Sequence, residues 1–207
     1  SELVSHQHTF FNYFMRSILI LLLIFISCTK NSQTDLDNYE EEAAIDIEGI
    51  SYESFEIYLL EELDESRGYC VDVKGSKTNA NPDNGLQAHT CYSYQGEISV
   101  DQKFDKTKIE ESEFYMPFFE VCMEAESVDE SATLQLKICN KNEKQKFSLN
   151  SNGTISLDGN TDLCLTVSEN SREGGGGNPI HRIRDLSLKN CNNNLSYQQK
   201  WGLRKIQ

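Results

Sequence analysis

The sequence has no basic stripe. Its 207 residues carry 19 Lys and Arg against 33 Asp and Glu, a formal charge of −14, and no cationic run of the kind that tracks a phosphate backbone, which argues against nucleic acid as a partner. It has no long helical periodicity, so short strands and turns are its building material. It has no apolar run of membrane-spanning length: the longest, Ser17 to Ile26, covers about ten residues where a spanning helix needs roughly 20. Histidine is sparse. His6 and His8 lie near the start, while His89 and His181 stand apart from any nucleophile motif, so no catalysis is expected. The cysteine pairs are too widely spaced for the close Cys-x-x-Cys pairs of structural zinc. Glu40 to Glu42 lack the alternating oxygen ligands of a calcium loop. No metal and no cofactor are expected.

What is present begins with a targeting signal. Met15 and Arg16 precede the ten-residue apolar run, and Ser27-Cys28 closes it, as in a signal peptide followed by a bacterial lipobox. Residues 1–28 are therefore read as a targeting segment, with residues 1–14 ahead of the better start at Met15 and Cys28 as the lipidated first residue of the mature chain. This reading predicts export to a bacterial cell surface or outer membrane, held to the bilayer by lipid, or otherwise secretion. Residues 29–54 are polar and acidic and read as a disordered tether. Between Lys30 and Ser66 there are thirteen acids and one base, so twelve of the fourteen excess negative charges sit there.

The remaining chain, 55–207, is a threefold repeat. Gln102-Lys103-Phe104, Gln145-Lys146-Phe147 and Gln199-Lys200-Trp201 each follow a pair of cysteines: Cys70 and Cys91, Cys122 and Cys139, Cys164 and Cys191. A repeated unit that cannot bury its own apolar face implies an architecture made by association of copies. Six cysteines allow fifteen connectivities, and the repeat favours pairing within each unit, in an oxidising compartment. Tyr69 to Val73 alternates apolar with polar, as a half-buried strand does. Asn81 to Gly85 and Ser151 to Gly153 are turn clusters. Such strands and turns, three times over, argue for an all-β closed or pseudo-symmetric fold.

Tyr69-Cys70-Val71-Asp72-Val73, Gly85 to Cys91 and Asp101-Gln102-Lys103-Phe104 resemble one repeat of the ricin B-type β-trefoil lectins, whose units run Cys-Leu-Asp-Val, Gln-Leu-Trp-x-Cys and Asn-Gln-x-Trp. Val121 to Ala125, Leu134 to Cys139 and Lys144 to Phe147 resemble a second. Leu163 to Val167, Asp185 to Cys191 and Gln198 to Trp201 resemble a third. The resemblance implies a β-trefoil of three pseudo-symmetric lobes, each with an internal disulfide, twelve strands in all, with the first and last closing a barrel. It also implies that Phe104, Phe147 and Trp201 are core residues.

Carried over residue by residue, the resemblance implies a non-covalent, galactose-like glycan site in the first lobe. Asp72 would accept hydrogen bonds from two neighbouring hydroxyls, beside Gln87, Gln102, His89 in the rim position that Trp or Tyr usually holds, and Asp101 where the family has asparagine. Tyr92 or Tyr94 would supply the stacking that His89 gives weakly. The second lobe offers a weaker candidate in Glu124, Gln135, Lys137 and Gln145, with Lys144 ahead of the glutamine. The third, with Thr166, Ser187, Lys189 and Gln198, has lost both carboxylate and ring. Gly174 to Gly177, lacking a strand-loop-helix context, is no phosphate cradle and reads as an excursion. The expected partners are glycans or glycoconjugates. The alternative is a trefoil kept for protein contacts or structure after losing sugar binding.

Overall fold

Short runs of β-branched and aromatic residues, broken by Gly, Asn and Pro turns, form thirteen strands within residues 52–205, the part of the chain that the computed structural model describes. The targeting segment, Cys28 and the acidic stretch up to residue 51 lie outside the described residues. The first lobe comprises β1 (Ser54–Leu59), β2 (Tyr69–Val73), β3 (Leu86–Thr90) and β4 (Phe104–Asp105). The second comprises a short helix, α1 (Lys106–Glu110), then β5 (Tyr115–Met116), β6 (Val121–Ala125), β7 (Leu134–Lys137) and β8 (Phe147–Leu149). The third comprises β9 (Ile155–Leu157), β10 (Asn160–Val167), β11 (Arg172–Glu173), β12 (Arg182–Asn190), α2 (Ser196–Gln199) and β13 (Trp201–Arg204). Four strands per lobe make the expected twelve. The thirteenth, β11, belongs to the third-lobe excursion, which folds back on β12 through Arg172 opposite Ile183 and Glu173 opposite Arg182.

Strand order in the larger sheet is β13-β1-β2-β3-β12-β10-β9-β8, with β4 also on β1, while β5, β6 and β7 form a second sheet. The first and last strands pair antiparallel, Glu56 opposite Arg204 and Leu59 opposite Trp201, which removes an open edge. A pairing of β3 with β12, His89 opposite Ile183, joins the first lobe to the third. In each lobe a disulfide ties the ends of the second and third strands: Cys70–Cys91, Cys122–Cys139 and Cys164–Cys191, with Cα separations of 4.9, 5.1 and 5.1 Å.

The three motif aromatics Phe104, Phe147 and Trp201 are fully buried in one apolar cluster with Ile57, Phe114, Met123 and Leu165. The Trp201 indole donates to the Leu165 carbonyl at 3.0 Å, so its one polar atom is satisfied. The motif glutamines are equally structural. In every lobe the glutamine carbonyl oxygen accepts from the backbone N–H after the second cysteine: Tyr92 to Gln102 at 2.9 Å, Asn140 to Gln145 at 2.8 Å, Asn192 to Gln199 at 2.9 Å. The amide nitrogen donates to the carbonyl before that cysteine, on Thr90 at 3.2 Å, Ile138 at 3.0 Å and Asn190 at 3.0 Å. It also donates to the side chain two residues past the first cysteine, Asp72, Glu124 or Thr166, at 3.0, 2.9 and 2.9 Å. One side chain thus satisfies backbone groups on both sides of the disulfide that the sheet ladder leaves unpaired. It also fixes the position that differs among the lobes.

Part of the acidic run is structural as well. Asp64 accepts from the Tyr69 hydroxyl at 2.7 Å and the buried Arg184 guanidinium at 2.6 Å. Glu65 accepts from Arg67 at 2.6 Å and the Thr90 hydroxyl at 2.8 Å, and the fully buried Glu56 pairs with Arg204. Burial works against ionisation of Asp64 and Glu65. Hydrogen bonds from Ser171, Arg184 and Tyr69 nevertheless hold Asp64 well below the usual carboxylate range, and those from Arg67 and Thr90 bring Glu65 down to about 2.

Candidate functional site

The first-lobe residues singled out from the sequence come together. Asp72 lies on β2 directly opposite Gln87 on β3, and the strand pleat sends both side chains to one face. The Gln87 amide donates to one carboxylate oxygen of Asp72 at 2.9 Å, and the Gln102 amide donates to the other at 3.0 Å. Burial, first, and then the negative charge of Asp101 push the Asp72 carboxyl well above its ordinary range, against the two amide donors. Asp101 reaches across to the backbone N–H of Lys77, which sits in a left-handed turn at φ 49°. Its other oxygen is buried with no partner among the described residues.

The same lobe holds a cluster of rings, joined to these groups by the Tyr92 N–H that donates to Gln102. His89, its Nδ1 bonded to the Thr90 carbonyl at 2.9 Å, stacks on Tyr92 with centroids 5.3 Å apart and an interplanar angle of 30°. Tyr92 therefore occupies the place beside His89 expected of a stacking ring, with the Lys77 ammonium over its outer face at 5.5 Å. The third-lobe excursion adds a ring that the sequence did not bring into the site. His181 meets His89 edge-on at 5.0 Å and Tyr92 edge-on at 5.4 Å. Burial lowers both histidines below the usual imidazole value, and the Arg67 charge lowers His181 further. Asp72, Gln87, His89, Asp101 and Gln102 are all buried, none more than 4% exposed. No sequence motif joins His181 to His89 across 92 positions; the β3–β12 register does.

In the second lobe Glu124 stands where Asp72 does in the first. It accepts from Gln135 at 3.0 Å, Asn142 at 2.9 Å and Gln145 at 2.9 Å. Lys144 lies 3.8 Å away, while Lys137 is exposed and takes no part. Glu124 thus has three amide donors and a lysine around it. In the third lobe Thr166 accepts from Gln199 and donates to the Cys164 carbonyl at 2.8 Å, Gln198 donates to the Val167 carbonyl at 3.1 Å, and Lys189 donates to Ser131 at 2.6 Å. Ser187 joins none of these contacts. A polar cleft of about 330 Å³ lies beside that lobe, lined by Asn150, Asn192, Asn193, Ser196 and Lys200 among others.

A closed ring of three disulfide-pinned, four-stranded lobes, with a carboxylate and amides gathered where the second and third strands meet, defines a β-trefoil of the lectin type. Residues 61–201 match the model of the ricin-type beta-trefoil lectin domain, and the chain belongs to that family. No curated protein matches the chain in sequence. Among solved structures it is similar to the C-terminal half of an earthworm R-type lectin in complex with GalNAc, at 17% identity and TM-score 0.50 over 73% of this chain and 98% of that one. It is similar to the agglutinin of Abrus precatorius, at 18% identity and TM-score 0.53 over 73% of this chain and 48% of that one. It is similar also to ThreeFoil, a designed threefold-symmetric protein, at 11% identity and TM-score 0.54 over 74% and 99%. At these identities the likenesses establish the fold.

Proposed function

We propose that the protein is a non-catalytic, carbohydrate-binding protein that takes a galactose-like sugar in its first lobe. Membership in a lectin family supports carbohydrate binding in general. The observation that carries the choice of lobe is the Asp72 carboxyl held by Gln87 and Gln102 in the lobe that also stacks His89 on Tyr92. A carboxylate bonded to a pair of adjacent hydroxyls, with a ring against the apolar face of the sugar, is the chemistry such a ligand requires. The second lobe has the carboxylate without the ring, and the third has neither.

The test is retention of the full chain on immobilised galactose. Leaving a buried hydrogen-bonding group without its partner costs about 1–3 kcal/mol, or roughly 5- to 150-fold in affinity. Asp72→Asn is expected to lose retention by that factor, while Glu124→Gln retains it. The reverse pattern would move the site to the second lobe. Burial of all five first-lobe residues favours a second reading, a trefoil retained for protein contacts or structure; its signature is a wild-type chain that ignores galactose at millimolar concentration.

We further propose that the protein works outside the cell, anchored by lipid at Cys28. Three disulfides suit an oxidising compartment. Incorporation of labelled palmitate that disappears in Cys28→Ser is the expected outcome, and equal labelling of both chains would contradict it.

A further inference from the structure

The third-lobe excursion does more than lengthen a loop. From Gly175 to Ile180 its residues are exposed, and its next residue, His181, is buried to 4% exposure over the first lobe. A plain surface loop has no reason to turn a polar ring inward. That ring loses hydration, and its Nδ1 finds no partner among the described residues, an arrangement that costs free energy. The excursion is nevertheless held in place. Arg67 of the first lobe donates to the carbonyls of Pro179 at 2.8 Å and Ile180 at 3.0 Å. The Tyr94 hydroxyl meets His181 Nε2 at 3.1 Å. Within the excursion, Gly174 donates to the His181 carbonyl at 2.7 Å and His181 donates to the Gly176 carbonyl at 3.0 Å. At Gly177, φ is 79° and a Cβ would collide with the His181 ring, so glycine there lets the backbone pass beside the imidazole.

The buried end of this excursion occupies a particular place. His181 lies edge-on to both rings that would stack on a sugar, His89 at 5.0 Å and Tyr92 at 5.4 Å. Asp101, in the same lobe, has one buried oxygen without a partner among the described residues. This oxygen, and the unpartnered nitrogen of the ring packed against His89, are groups whose pairing a hydroxylated ligand improves, by bonding to Asp101 and releasing His181 to water.

We propose that the segment Gly174 to His181 is a lid on the first-lobe site, with His181 standing in for the bound sugar, so that a glycan binds only by displacing it. This inference rests on the first-lobe reading above and adds its regulation. When a binding-competent form is only a fraction of the population, the apparent affinity falls by that fraction. Weakening the closed form therefore strengthens binding. Arg67, which holds the lid from outside the five first-lobe residues, becomes the latch.

The experiment is a galactose titration of the full chain by calorimetry, with wild type, His181→Ala, Arg67→Ala and the double variant His181→Ala/Asp72→Asn. The lid predicts that His181→Ala binds about tenfold tighter or better than wild type, that Arg67→Ala lies between, and that the added Asp72→Asn abolishes the gain. Circular dichroism of each variant guards against misfolding, and the His181 ring proton signal of wild type is expected to move toward that of a solvated imidazole as galactose is added. Equal or weaker binding by His181→Ala, with Asp72→Asn still abolishing binding, would overturn the lid and leave the first-lobe site standing. Absence of binding by both wild type and His181→Ala would overturn both.

Discussion

Asp72 is the residue on which the account turns, and its environment makes a prediction that needs no ligand. Its carboxyl is raised in the folded protein, chiefly by burial and then by Asp101. The folded state therefore holds a proton that the unfolded state has released, and stability contributed at this position is fully present below the unfolded value of about 3.9 and lost as pH rises toward the folded one. Asp72→Asn removes that titration. Its stability relative to wild type, measured by urea unfolding, is expected to increase as pH rises above about 4; a difference that does not change with pH would show that Asp72 is not raised. The motif glutamines make a second prediction at this scale. Gln199 bonds three groups and touches no candidate site, so Gln199→Ala leaves buried backbone groups unpaired. It is expected to destabilise by about 1–3 kcal/mol while leaving any galactose binding intact.

The residue roles were unevenly legible. That Phe104, Phe147 and Trp201 form the core followed from three copies of one motif, and the structure buries all three. The glutamine at the head of each motif was readable as a polar residue in a core setting. Its bridge from the disulfide to Asp72, Glu124 or Thr166 needed the folded backbone to become visible. His181 had no signal at all. It stands between Ile180 and Arg182, at the end of a stretch of glycine, asparagine and proline, and the contact that matters is created by pairing β12 with β3.

At the scale of elements, the segment between β1 and β2 links lobes. Asp64 and Glu65 belonged, by composition, to an acidic stretch dominated by solvated charge. The fold turns these two inward against Arg184, Arg67, Tyr69 and Thr90. Charge counting cannot separate a carboxylate facing water from one facing an arginine brought from 120 positions away. The consequence is an acid limb in stability. Both carboxyls are depressed when folded, Glu65 to about 2 from an ordinary 4.5. The unfolded state thus binds more protons between those values, and stability falls as pH drops through that window. Glu65→Gln is expected to flatten the thermal-unfolding profile between pH 4.5 and pH 2. An unchanged slope would mean that the Glu65–Arg67 pair does not contribute.

At the scale of the molecule, the repeat determines both the architecture and its stability. Each disulfide closes a loop, with separations of 21, 17 and 27 positions, and each such bridge is worth about 3 kcal/mol in the chain-entropy model. Reduction is therefore expected to lower the thermal midpoint by well over ten degrees, since about 1 kcal/mol moves a domain of this size by roughly 2–4 °C. A reduced protein melting with the oxidised one would contradict the assignment of the disulfides as structural staples. Threefold geometry also explains why the lobes differ in chemistry while sharing a frame. The glutamine clamp bonds Asp, Glu or Thr alike, so the acceptor facing it can differ from lobe to lobe within one frame.

The central claim is that the first lobe binds a galactose-like sugar at Asp72. A nitrogen-15 chemical-shift titration with galactose tests it most directly, because the side-chain amides of Gln87 and Gln102 both donate to the Asp72 carboxyl. The account predicts saturable shifts of those two amides and of the Tyr92 backbone N–H, with the Gln135 and Gln145 amides of the second lobe unmoved. Saturable shifts confined to Gln135 and Gln145, or none at any galactose concentration up to the millimolar range, would contradict it.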